Sequence, residues 1–340
     1  MKKFKIISII IGIILVIILG IGGLFVYRTQ ESLKSLDTNK NSVSKKIDQS
    51  KPFSILLLGA DTGTDGRVDR GNSDTMMLLT LNPQKKQTVA YSIPRDALAE
   101  MVGDSPKNVQ KINAAYNIGL SKMAKKTVGS LLGVPVDYHV AINMEALERT
   151  VDFVGGVTVT SPMNVSFDGV TIPKGTHHLN GKEALTYARM RYQDPRGDYG
   201  RQIRQQQILR AVVKKLEQPK YLVKVPDLIK KLGSDINTDL TTSQIDQIIL
   251  KYHSSAKKME FNQIQGQTAW INESSYQILP TSTMQSASDK LRANLGLEQQ
   301  TLDNTETRLN AKNPAFFANE DDTDYDTFDL DTVHYSNNTY

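Results

Sequence analysis

The chain opens on an uncharged run, Ile6 to Tyr27, made chiefly of Ile, Leu, Val and Gly. A helix over these 22 residues rises ~1.5 Å per residue and spans ~33 Å, the thickness of a bilayer core. Lys2, Lys3 and Lys5 precede the run, whereas only Arg28 and a nearby Glu31 follow it. That asymmetry places residues 1–5 in the cytoplasm, the span at 6–27, and everything beyond outside the cell. The run is longer than a signal-peptide core and no A-x-A-like cleavage site follows, so the expectation is a single-pass anchor in the cell membrane. The polar stretch 28–51 then reads as an extracellular stalk.

Short apolar runs ended by turn residues come next. Phe53 to Gly59, Thr75 to Leu81 and Thr88 to Ile93 each predict a buried strand. Only Asn82-Pro83-Gln84-Lys85-Lys86 joins the second to the third, too few residues for a crossover, which predicts an antiparallel pair. The spacing then changes. Tyr116, Leu120, Met123, Val128 and Leu131 recur at helical intervals up to Gly133, and Met144 to Val154 predicts a second helix. Strands are expected at Val136–Ile142 and Val157–Thr160, and helices at Ala184–Ala188, Tyr199–Leu216, Asp227–Leu232 and Ser243–Tyr252. Such alternation predicts an α/β fold, an α-β-α sandwich with a mixed central sheet, over residues 52–298. The composition of 299–340 turns polar and then acidic, which predicts a mostly disordered tail.

Charge sharpens this picture. The stretch from Asn313 to Tyr340 holds seven acids and no Lys or Arg, so removing it from a net charge of +5 leaves +12 on the rest. A basic body calls for an anionic partner. There is no cysteine, which excludes thiolate metal sites, thiol nucleophiles and disulfides. From Ala188 through Arg210 there are six arginines and no lysine. Guanidinium binds phosphate oxygens bidentately and keeps its charge at any relevant pH, so this composition favours anion binding over mere solubility. With the backbone extended at Met190, Arg189 and Arg191 project to one side. On a helix starting near Tyr199, Arg201, Arg204 and Gln205 share a face.

Carboxylates provide the complement. Asp61 follows the first strand, Asp74 opens the second, and Arg95 follows the third. With the second strand antiparallel to its neighbours, all three fall on one sheet edge, where open α/β sheets bind ligands. Asp61 and Asp74 there suit a hard divalent cation, Mg2+ or Mn2+, shared with phosphate oxygens. Arginines and a cation together suit in-line attack of a hydroxyl on a pyrophosphate. Asp74 and Asp198 are the candidate bases. His139 lies in an apolar strand pattern, and His177 and His178 in a turn, so none is a candidate.

These residues also carry a resemblance. Leu57-Leu58-Gly59-Ala60-Asp61, Ser73-Asp74-Thr75, Ile93-Pro94-Arg95-Asp96, Lys111-Ile112-Asn113-Ala114-Ala115-Tyr116, Val154-Gly155-Gly156-Val157, Leu179-Asn180-Gly181 and the arginine segment are similar, in order, to blocks of the LytR-CpsA-Psr family. The resemblance covers about Phe53 to Asp239. It implies transfer of a wall polymer, teichoic acid or capsular polysaccharide, from a polyprenyl-pyrophosphate-linked donor to peptidoglycan. It further implies that Asp61 and Asp74 serve magnesium and that Arg95, Arg189, Arg191, Arg201 and Gln205 hold the pyrophosphate, with Asp198 nearby. Asn72 stands where many members have Arg, so Arg67 or Arg70 is the candidate replacement. A pyrophosphate hydrolase and a non-catalytic polymer scaffold are the rival readings. A nucleic-acid-binding regulator or attenuator is disfavoured, because the arginines would lie outside the cell and no nucleic-acid-binding signature is present.

Overall fold

The computed structural model describes residues 46–47, 49–60, 71–216, 218, 221, 232 and 235–330. The expected membrane span, most of the stalk, Asp61, Arg67, Arg70 and most of the helix expected at Asp227–Leu232 lie outside the described residues. Among the described residues, no helix is long and apolar enough to cross a membrane.

The apolar runs form strands as expected: β1 (Phe53–Ala60), β2 (Ser73–Asn82) and β3 (Gln87–Ile93). A small pair, β4 (Leu98–Glu100) and β5 (Val109–Lys111), leads into helix α1 (Ala114–Leu132). That helix kinks at Gly119–Leu120 and stops where Gly133 turns left-handed at φ 58°. Next come β6 (Tyr138–Ile142) and α2 (Met144–Phe153), whose first turn is capped by the Asn143 side chain accepting from the Ala146 amide. An excursion of β7 (Val157–Ser161), β8 (Val165–Phe167), β9 (Val170–Ile172) and β10 (Gly175–Leu179) follows. The strand expected at Val157–Thr160 therefore exists, but it pairs with β10 away from the main sheet. Helices α3 (Gly181–Arg189) and α4 (Gly197–Leu216) bracket the arginine-rich loop. The remainder comprises β11 (Ile236–Thr238), α5 (Thr242–Tyr252), β12 (Lys258–Gln263), the hairpin β13 (Gln267–Ile271) and β14 (Ser274–Ile278), then α6 (Thr281–Leu295), α7 (Thr305–Lys312) and α8 (Pro314–Ala318).

The central sheet is six-stranded and mixed, in the order β11-β6-β1-β2-β3-β12. β2 is antiparallel to both β1 and β3, whereas β6 joins β1 and β12 joins β3 in parallel. The carboxyl ends of β1, β3, β6 and β12 and the amino end of β2 thus share one edge. Both faces of the sheet are covered, which is why β1 and β2 read as continuous apolar runs rather than alternating ones. On one face Ile55, Met77, Leu79 and Val140 pack against α2, α3, α4 and α5. On the other Leu56, Leu58, Met76 and Leu78 pack against α1 and α6.

Two expectations about boundaries are corrected. The stalk does not run to Lys51: Ile47 is fully buried in the core, Lys46 pairs with Asp137 at 2.7 Å, and Tyr252 donates to the carbonyl oxygens of Lys46 and Lys51. The disordered tail expected at 299–340 is instead folded through residue 330. Leu309, Phe316 and Tyr325 form a satellite core with Ala269, Ile271, Tyr276 and Ile278 of the β13–β14 hairpin. Phe316 meets Phe317 and Tyr325 edge-on at 5.0 and 5.1 Å between ring centroids. Polar residues add specific ties: Asn304 caps α7, Asn310 Nδ2 donates to the Leu279 carbonyl at 2.8 Å, and the buried Glu306 carboxylate accepts from the Glu100 amide at 2.6 Å. Low average hydrophobicity hid the aromatics Phe316, Phe317 and Tyr325 and a set of polar anchors.

Candidate active site

A cavity of about 260 Å³ opens at the shared strand edge, between the sheet and helices α2, α3 and α4. Its walls divide by chemistry. Leu57, Met77, Val140, Leu147, Leu209 and Val212 make the interior apolar, whereas Asp74, Arg95, Arg189, Arg191, Arg201 and Gln205 supply the polar groups. Gly59 lines it too, and a Cβ there would lie 2.9 Å from Cβ of Thr75, its register partner on β2. The close approach of the two strands at the rim requires glycine.

Arg95 leaves β3 directly after Pro94 and donates from Nη1 to Asp74 Oδ1 at 2.5 Å, with Nε 3.5 Å from Asp96. Burial works to lower its pKa, but Asp74, Asp96 and Asp198 outweigh burial and hold the guanidinium above its ordinary value. Arg201, with only 7% of its side chain exposed, donates from Nη2 to the Asp74 carbonyl at 3.0 Å and lies 2.6 Å from Asp198 Oδ1. Here burial wins: desolvation, aided by the like charges of Arg95 and Arg191, lowers its pKa despite Asp198 and Asp74. Its buried Nε has no hydrogen-bond partner among the described residues. A desolvated, under-neutralised cation with an unused donor is relieved by an incoming anion.

Arg189 and Arg191 reach the cavity much as the sequence suggested. Arg189 is the last residue of α3; Met190 then turns extended at φ −56°, ψ 133°, and its side chain points into the core at 1% exposure. Arg189 stacks on Phe167 at 5.6 Å with Asp168 3.8 Å away, and Arg191 stacks on Tyr192 at 4.7 Å. Gln205 lines the cavity, its amide 3.5 Å from the Ala188 carbonyl.

Two expected site residues stand elsewhere. Arg204, expected on the anion-binding face, is fully buried and absent from the cavity wall. It donates to the carbonyl oxygens of Tyr187, at 3.0 Å, and Met190, and to the Asp194 carboxylate. Three residues past Arg201, it is rotated off the pocket and ties the arginine loop to α4. Asp194 also accepts from the Arg196 amide and guanidinium. Gly200 lets α4 close over this carboxylate, since a Cβ there would meet Asp194 Oδ2 at 2.0 Å. Asp198 is the second case. It accepts from Gln202 at 3.1 Å and backs Arg201 without lining the cavity, so it orients the guanidinium.

Asp74 is the one described carboxylate on the cavity wall, and among the described residues no cluster of three or more His, Asp or Glu forms a metal site. Asp61, the expected second ligand of a divalent cation, lies outside the described residues. His139 bonds Asn237 at 2.8 Å with Asp239 3.2 Å away, and none of His139, His177 and His178 touches the cavity. Sequence reading missed the apolar interior. Ile208, Leu209 and Val212 look like any core stripe on α4, and nothing in their spacing reveals that the volume before them is unfilled.

The LytR_cpsA_psr family model matches residues 23–293. The chain is 38% identical over 282 residues to an Enterococcus faecalis protein named polyisoprenyl-teichoic acid–peptidoglycan teichoic acid transferase TagU, covering 81% of this chain and 92% of that one. A solved Enterococcus faecalis structure described as a transcriptional regulator superposes with a TM-score of 0.67 at 35% identity, covering 80% of this chain and 96% of the other. TagT bound to LIIa-WTA superposes at 0.61 and 29% identity, covering 78% and 95%. With the family model spanning most of its length, the chain belongs to the LytR-CpsA-Psr family.

Proposed function

We propose that the protein transfers a teichoic acid or related wall polymer from a polyprenyl-pyrophosphate carrier to peptidoglycan, forming a phosphodiester. The observation that carries this reading is a single cavity with an apolar interior and polar walls dominated by Arg95, Arg189, Arg191 and Arg201. Few ligands need both; a long hydrocarbon ending in a pyrophosphate does. The names of the relatives, a teichoic acid transferase and a TagT complex with LIIa-WTA, agree with the substrate class.

In the proposed reaction a peptidoglycan hydroxyl attacks the phosphorus that bears the polymer. The new O–P bond forms as the phosphoanhydride bond breaks, polyprenyl monophosphate leaves, and the hydroxyl proton passes to a base or to water. Arg201 and Arg95 face the developing charge with donors already fixed by Asp198 and Asp74, so little reorganisation is needed. Arg189 and Arg191 hold the remaining phosphate oxygens. Asp74, with Asp61, would hold Mg2+ or Mn2+, which when bound supplies charge neutralisation at the phosphate oxygens. The run Ile6 to Tyr27 would anchor the chain in the cell membrane, keeping the cavity at the surface where such a donor resides.

The test is incubation of the full-length chain in detergent with a polyprenyl-pyrophosphate oligosaccharide, peptidoglycan fragments and Mg2+, with products read by mass. A covalent phosphodiester adduct that disappears with EDTA and in Asp74→Ala is the expected result. Release of lipid without an adduct would make the protein a hydrolase, and no turnover with any donor would make it a scaffold.

A further inference from the structure

The transfer just proposed needs a bound acceptor glycan as well as a donor. One unassigned surface is the outer face of the β13–β14 hairpin. Its inner residues, Ala269, Ile271, Tyr276 and Ile278, are buried in the satellite core, so strand alternation turns Thr268, Trp270, Ser275 and Gln277 outward. Thr268 pairs with Gln277 and Trp270 with Ser275 across the hairpin. Trp270 is the chain's one tryptophan and stands 58% exposed. Its half-exposed indole offers an apolar ring face to solvent with a polar N–H at its edge.

A chain of hydrogen bonds links this face to the active site. Tyr199, next to Asp198, donates to Gln277 Oε1 at 2.8 Å and accepts from the Gly266 amide at 2.8 Å. Gln277 Nε2 in turn donates to Thr268 Oγ1 at 2.9 Å, and the Gln277 amide bonds the carbonyl of Asp96, beside Arg95. The Tyr199 hydroxyl, its pKa pushed up to about 12 by burial, thus sits between the Gly266 amide and the Gln277 side chain. Trp270 lies two residues beyond Thr268 on the same strand face, roughly 7 Å further out. On its other side Trp270 bridges to the acidic segment, its amide donating to Thr323 at 2.9 Å with Asp324 alongside.

We propose that this face is the acceptor shelf: Trp270 stacks on the apolar face of an N-acetylated pyranose while Thr268, Ser275 and Gln277 hydrogen-bond its hydroxyl and amide groups, leading the glycan strand to Arg95 and Arg201. The inference rests on the transferase reading for its purpose. Charge decides between the two polymers of that reaction. Asp321, Asp324 and Asp326 are exposed on the segment whose backbone bridges to Trp270 at Thr323 and Asp324. They repel a phosphodiester polymer carrying a charge on every repeat, but not a glycan backbone of much lower charge density. The acidic segment thereby keeps the donor polymer off the acceptor's track.

Because Trp270 is the chain's one indole, the intact protein in detergent reports directly on the shelf. The probe is a tetrasaccharide of alternating N-acetylglucosamine and N-acetylmuramic acid, added without donor. A saturable change in tryptophan emission is expected, with no change from a glycerol-phosphate polymer; an unchanged spectrum at millimolar tetrasaccharide would overturn the shelf. In the full reaction, Trp270→Ala is expected to raise the acceptor KM roughly tenfold and leave the donor KM and kcat near wild type. A fall in kcat with the acceptor KM unchanged would overturn it. Saturable emission without turnover on any acceptor would sink the transferase reading and leave the carbohydrate shelf standing, so the two failures are distinguishable.

Discussion

Helix α4 carries two arginines less than one turn apart whose surroundings are opposite. Arg204 is buried and matched: its donors meet two carbonyl oxygens and the Asp194 carboxylate, itself bound by Arg196. Arg201 is also nearly buried but mismatched, crowded by Arg95 and Arg191 and left with an unpartnered Nε. The same side chain in the same helix thus serves structure where its charge is satisfied and awaits a ligand where it is not. Satisfaction, not residue type, separates the two roles.

The largest break in that comparison comes from Arg204→Ala. It strips Asp194 of a partner inside the protein and frees the carbonyl oxygens of Tyr187 and Met190, and removing one member of such a pair costs about 3–5 kcal/mol. Urea unfolding of the variant should show this loss, and loss of transfer should follow from disorder of the loop that presents Arg189 and Arg191. A midpoint equal to wild type would return Arg204 to the list of ligand contacts. Arg201→Ala should do the reverse. Transfer falls by about 10²–10³-fold, as for the loss of one preorganised donor. Stability should change far less than in Arg204→Ala, because removing a desolvated, poorly neutralised charge offsets the loss of the Asp198 pair. Activity within a few-fold of wild type would remove Arg201 from the clamp.

Much of this was legible in the sequence because it depends on local order. The strand runs, the tight β2–β3 connection and the placement of Asp74 and Arg95 on one edge follow from chain direction alone, and the edge is where the cavity opens. Met190 separating Arg189 from Arg191 follows from side-chain alternation. What was not legible depends on rotation and on empty space. Helical spacing groups Arg201, Arg204 and Gln205 on one flank, but only packing shows that Arg204 turns toward Asp194. The aromatics Phe316 and Tyr325 give no periodic signal, so the folded tail was concealed by the acids around it.

The cavity itself sharpens the contrast between the two faces of the sheet. Val212 borders the cavity, whereas Ala287 sits in the filled core opposite. Val212→Phe should be tolerated because there is volume to receive the ring, yet should raise the KM for a long-chain donor far more than for a short-chain one. Ala287→Leu adds atoms where none fit and should cost about 1–3 kcal/mol with donor KM unchanged. Equal destabilisation by both, measured by denaturant, would show that the two faces are packed alike.

The smallest effect is a pH dependence confined to the matched flank. Burial would raise the Asp194 pKa, but hydrogen bonds from Arg196 and Arg204 prevail and hold it at about 2, below the ordinary 3.8. The unfolded chain therefore takes up this proton first on acidification. Stability from Asp194 is complete above about pH 4, declines below it, and is gone once pH falls through about 2. Asp239, also held at about 2, titrates in the same window, so the wild-type curve reports both groups. The informative quantity is the difference in slope. In Asp194→Asn, the dependence of unfolding free energy on pH between 4 and 2 should flatten by up to one proton, at most ~1.4 kcal/mol per pH unit. The Arg201→Ala curve should keep the wild-type slope, since Arg201 does not touch Asp194. Parallel slopes for Asp194→Asn and wild type would mean that the Asp194–Arg204 pair is not held in the folded state, and the distinction between the two arginines would fall with it.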